Sequence, residues 1–145
     1  MPSTDQTFRC RVDHHTVALV TSVDATGPNK ADVPPGAFAG ALSTGSVACD
    51  VGIHSGAIDV RLSIGEFPQV EPEWGNPLVF PHIDFGGEAV FDSTDGDQGC
   101  LETGVELPSG PYRVTVWHRP DPDTDPFMEN VDSSEGFWFH LEPEV

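Results

Sequence analysis

Apolar and polar residues alternate along most of the chain, and that alternation predicts strands. Thr7–Val12 sets Phe8, Cys10 and Val12 against Arg9 and Arg11, the period-two pattern of a half-buried strand. His15–Val23 carries apolar residues on both faces and reads as a more deeply buried one. Ser46–Val51 and Ala57–Ile64 bracket Gly52-Ile53-His54-Ser55-Gly56, which predicts a hairpin. In the second of these, Ile58, Val60, Leu62 and Ile64 oppose Asp59, Arg61 and Ser63. Leu78–Phe85 and Glu88–Phe91 predict another hairpin across Gly86-Gly87, with Pro81 pointing to an edge or a bulge. Cys100–Leu107 and Tyr112–His118 read as two strands joined by a turn at Pro108-Ser109-Gly110, and Gly136–Leu141 as the last strand. Ala37–Leu42 fits either a short helical turn or a lead into the next strand.

No stretch sustains a helical period. The 15 glycines and 14 prolines are too many breakers for a helical bundle. The expectation is an all-β fold: a single-domain antiparallel β-sandwich of about eight short strands over residues 1–145, with 1–6 as a flexible N-terminus. No apolar run approaches the roughly 20 residues of a membrane helix. The first residues have neither a basic start nor an apolar stretch, so a cytoplasmic chain is expected.

Charge changes the picture most. Six Lys+Arg face 24 Asp+Glu, for a net charge of -18. Only six of those acids (Asp5, Asp13, Asp24, Asp32, Asp50, Asp59) lie in residues 1–60, together with half of the bases. The acidity is therefore concentrated in the second half. Such a chain repels nucleic acid and anionic membranes and attracts basic proteins. Uniform adaptation to a salt-rich cell, the alternative source of acidity, would spread the acids more evenly.

Cys10, Cys49 and Cys100 are odd in number and far apart, which suits reduced, partly buried thiols better than a disulfide framework. Asp121, Asp123, Asp125, Glu129 and Asp132 have the spacing of a calcium loop. Pro126 stands where that loop needs glycine, however, and strands rather than helices flank it. A solvated or partner-recognising acidic loop fits better. Asp92, Asp95 and Asp97 form a second acidic turn. The six histidines show no ligand spacing, so only a composite zinc site assembled by folding stays open. His82 and His140 lie in apolar strands and read as core residues, as do Trp117 and Trp138. Trp74, in a proline-rich loop, is either a lid over the sandwich or an interface anchor. No nucleophile elbow, phosphate loop or nucleotide fingerprint occurs.

Leu107-Pro108-Ser109-Gly110-Pro111-Tyr112, leading into Arg113–Pro120 with Trp117 near its end, resembles the corresponding stretch of the competence protein J family. Val79-Phe80-Pro81-His82-Ile83 with Gly86-Gly87, and the early strand His14–Leu19, are similar to that family in order and spacing. The resemblance implies a β-sandwich that inhibits a nuclease and carries no catalytic residues. The expectation is thus a non-enzymatic protein without cofactor or metal. Its acidic residues Asp121, Asp123, Asp125, Glu129, Asp132, Asp92, Asp95 and Asp97, with Trp74, would meet a basic nuclease or toxin. The alternative is a small-ligand or carbohydrate-binding sandwich.

Overall fold

Residues that alternate in the sequence become the inner faces of a folded sheet. The computed structural model describes residues 4–21, 33–42, 45–93 and 100–144. Within them lie β1 (Thr4–Val12), β2 (Thr16–Thr21), β3 (Ala39–Leu42), β4 (Ser46–Asp50), β5 (Gly56–Ile64), β6 (Leu78–Asp92), β7 (Cys100–Arg119) and β8 (Val131–Pro143). A short 3-10 turn spans Pro72–Trp74. The all-β expectation holds. β1 begins earlier than expected, with Thr4, Asp5 and Gln6 paired to Ile64, Ser63 and Leu62.

All eight strands join in one sheet, in the order β1-β5-β8-β7-β6-β2-β4-β3. Neighbouring strands lie about 4.8 Å apart, so a flat sheet would separate β1 from β6 by roughly 19 Å. Yet the Phe8 and Phe91 rings, on those two strands, are 6.3 Å apart. The sheet therefore folds over on itself into two layers, and the core lies between them. Val17, Leu19, Val47, Ile58, Val60, Leu62, Phe91 and Phe139 are completely buried there.

The fold-over explains the departures from the sequence reading. β6 and β7 are single long strands, paired from Leu78↔Val116 to Asp92↔Cys100. The breakers at Gly86-Gly87 and Pro108-Ser109-Gly110 lie opposite each other in that ladder, so they bend the two-stranded ribbon together and reverse neither strand. At Gly86 a side chain would come within 2.6 Å of Ser109 Oγ. The Tyr112 hydroxyl fastens the bend by donating to the Pro108 carbonyl at 2.6 Å.

The predicted β4–β5 hairpin does not form. β4 pairs with β2 and β3, and β5 pairs with β1 and β8, so residues 51–55 carry the chain between layers. β5 and β8 run parallel, the one departure from antiparallel pairing in the described sheet. His82 is not in the core: its side chain is 80% exposed beside Glu144, at a bulge where its φ is 61°. His140 is buried, as expected. Trp117 and Trp138 are buried too, but with Trp74 in a cluster of their own. Cys10 and Cys49 are both buried. Burial raises the Cys49 thiol well above its ordinary pKa, which suppresses its reactive form.

Candidate partner-binding surface

Three connections meet at one end of the folded sheet. The first is the tight turn from β1 to β2, closed by Thr16 N–H to the Asp13 carbonyl at 3.2 Å. His14 and His15 occupy it in the left-handed region, with φ of 54° and 60°. The second is the 51–55 connection, which donates Val51 N–H to the His15 carbonyl (2.7 Å) and accepts His15 N–H at the His54 carbonyl (3.2 Å). The third, the 120–130 loop from β7 to β8, is held to the second by His54 N–H to the Met128 carbonyl at 2.9 Å and by Asn130 N–H to Ser55 Oγ at 3.1 Å. The same end holds Asp92, the last residue of β6, which pairs with Ala18 near the start of β2.

The 120–130 loop is built by its own acids. The Asp121 carboxylate accepts the N–H groups of Asp123 (2.9 Å) and Ser134 (2.9 Å) and the Ser133 hydroxyl (3.0 Å). Those backbone donors hold its pKa below the ordinary value. Asp125 accepts Phe127 N–H at 2.9 Å, a local turn of the kind aspartate favours. Met128 packs against the core, while its neighbour Phe127 is left 90% exposed at the loop tip. Asp132 pairs with Arg9 at 2.8 Å.

The predicted acidic residues thus divide. Asp121 and Asp132 shape the loop and its base. Asp123, Asp125 and Glu129 are exposed at the same end of the fold. Asp92 is half-buried there, and burial raises its carboxyl pKa. Asp95 and Asp97 lie outside the described residues. Trp74 takes the lid position: it is 4% exposed, edge-on to Trp138 at 5.5 Å and beneath the Arg119 guanidinium.

Three of the five arginines are spent within the protein. Arg9 and Arg119 share Asp59, at 3.0 and 2.7 Å. Arg61 makes a two-pronged pair with Asp5 and lies 3.7 Å over the Trp138 ring. That hydrogen-bonded pairing lowers the Asp5 pKa. The loop-tip carboxylates Asp123 and Asp125 have no such partner among the described residues.

Sequence reading missed three features of this end. Phe127 is one; its signal was a lone aromatic residue inside an acidic, proline-broken run. A second is the buried carboxylate of Glu135, 2% exposed, which accepts Gly52 N–H at 2.9 Å and His118 Nε2–H at 2.7 Å. Phe38 stacks on that His118 ring at 5.5 Å, beside an open hollow of about 380 Å³. The third is a cluster of Asp13, His14 and His54, whose ligand atoms lie within 4.8 Å of one another.

No protein-family model matches the chain, and no curated protein matches it. By fold it falls with a class of small all-β proteins represented among solved structures. One is ComJ, inhibitor of the DNA degrading activity of NucA, from Bacillus subtilis. It has a TM-score of 0.69 and 13% identity over 99% of this chain and 100% of that one. Another is the product of crocagin biosynthetic gene J, with a TM-score of 0.63 and 13% identity over the whole of both chains. The likeness read from Leu107–Pro120 is therefore present at the level of the fold.

Proposed function

We propose that this protein is a non-enzymatic inhibitor that binds a basic protein partner, a nuclease or nuclease toxin, through the end of the fold that carries the 120–130 loop. The carrying observation is the loop tip: Phe127, 90% exposed, between the exposed carboxylates of Asp125 and Glu129, with Asp123 nearby in the chain. An exposed aromatic side chain ringed by charge is the composition of a binding centre with a polar rim. A nuclease keeps a basic groove for phosphates. Carboxylates presented to it compete with nucleic acid and speed association by steering. The shared fold with an inhibitor of a DNA-degrading enzyme supports the same reading. In it, Asp92, Asp95 and Asp97 add further carboxylates for the partner, and Asp121 and Asp132 keep the loop in shape.

The test is a pull-down with this protein as bait, followed by inhibition of DNA cleavage by any nuclease it captures. Asp123→Asn with Glu129→Gln removes charge and leaves the Asp121 and Asp125 turns intact. That pair should slow association on the order of tenfold at low salt, and Phe127→Ala should speed dissociation. Inhibition unchanged by all three substitutions would sink the proposal. The hollow beside Phe38 favours a second reading, small-ligand binding. That reading predicts binding insensitive to salt and abolished by Phe38→Ala.

A further inference from the structure

We propose that Asp13, His14 and His54 form a binding site for a divalent transition-metal ion of the zinc type. His14 Nδ1 lies 3.1 Å from one Asp13 oxygen, and His54 Nδ1 lies 3.8 Å from the other. Glu129 Oε1 approaches the same His54 nitrogen to 3.5 Å. Ligand atoms about 2.0–2.2 Å from a tetrahedral zinc ion are roughly 3.3–3.5 Å from each other. The two approaches to the Asp13 carboxylate fall on either side of that value, and one ligand atom from each of the three residues lies within 4.8 Å of the others.

A histidine beside a carboxylate is usually only an ion pair, and His82 with Glu144 at 2.9 Å is one on this same molecule. His54 differs. Its Nδ1 is buried and has no hydrogen-bond partner among the described residues, although it faces two carboxylates. Both lie too far away for good hydrogen bonds. A ring nitrogen so placed lacks a partner that a cation would supply. Two imidazole nitrogens with carboxylate oxygens suit zinc, cobalt or nickel, whereas calcium and magnesium take oxygen alone. His15 steadies the arrangement from behind. Its Nδ1 lies 3.2 Å from the Val51 carbonyl, and its ring meets His54 edge-on at 5.1 Å.

Such an ion would tie the β1–β2 turn to the 51–55 connection. The proposal does not depend on the partner reading, although Glu129, beside His54, belongs to the loop of that reading. The experiment is titration of the untagged full chain with Zn²⁺ by calorimetry, and with Co²⁺ by its visible absorption. The expected result is one ion per chain, with cobalt bands of a nitrogen- and oxygen-ligated tetrahedral ion. His54→Ala should weaken Zn²⁺ binding at least tenfold. His14→Asn should do the same while keeping the left-handed turn that asparagine tolerates. His82→Ala should leave binding unchanged. Circular dichroism confirms that each variant is folded. No saturable one-to-one binding of either ion to folded wild-type protein overturns the proposal. So does a loss of binding in His82→Ala as large as that in His54→Ala.

Discussion

At the scale of single residues, the polar groups inside the protein are held in definite protonation states. Trp138 Nε1–H donates to Ser63 Oγ at 2.8 Å, and Ser63 Oγ lies 2.7 Å from His140 Nδ1. His140 Nε2 lies 3.1 Å from the Gly65 carbonyl, which can only accept. The Gly65 carbonyl fixes the proton on Nε2, so in the neutral ring Nδ1 accepts from Ser63. Burial lowers the His140 pKa from its ordinary 6.5. Below that pH the unfolded chain binds a proton that the native one resists, so His140 costs stability progressively as pH falls toward its native pKa. Wild type and His140→Gln, unfolded in urea at about pH 8 and about pH 5.5, should differ less at the lower pH. An equal gap at both would show that His140 does not titrate in this way. Asp121 acts in a separate window. Its lowered pKa stabilises the native loop above the ordinary value of 3.8, and that support is lost as pH falls through the native pKa.

At the scale of elements, what was legible in the sequence was the strands and not their pairing. Alternation at Ala57–Ile64 marks β5 because one face is buried, and burial leaves a mark on composition. Whether Gly86-Gly87 reverses the chain or bends it depends on what lies opposite, and nothing near residue 86 records that Ser109 does. The same limit hid the candidate site. The spacing of Asp121, Asp123 and Asp125 was readable as an acidic loop, since each residue acts locally. His54 and Asp13 lie about forty positions apart in the chain and meet only because the 51–55 connection crosses the layers. The Leu-Pro-Ser-Gly-Pro-Tyr stretch now has a physical meaning: Tyr112 reaches back four residues to clamp the bend at Pro108. Tyr112→Phe deletes that bond alone and should cost about 1 kcal/mol in a urea titration. No measurable loss would mean that the bulges bend the ribbon without help.

At the scale of the whole molecule, the net charge of -18 acts on folding and on association with opposite signs. Within the protein, acids crowd acids: Glu88 sits directly opposite Glu106 across β6 and β7, an arrangement that weakens a sheet. Salt relieves such repulsion. Raising NaCl from about 0.05 M to about 1 M shortens the screening length to about 3 Å, so the midpoint of thermal unfolding should rise. The same salt should slow association with a basic partner, because steering acts over the distances that screening removes. The two effects separate a general acidic character from a dedicated surface. Removing Asp123 and Glu129 together should flatten the salt dependence of association while leaving that of unfolding nearly intact, since these two charges lie on exposed loop positions. Asp5, Asp24 and Asp32 provide the comparison set from the less acidic half. If neutralising them flattens association in proportion to the charge removed, the whole field steers the partner and the loop has no special part. If only the loop pair matters, the inhibitor-like reading gains the localisation that net charge alone does not provide.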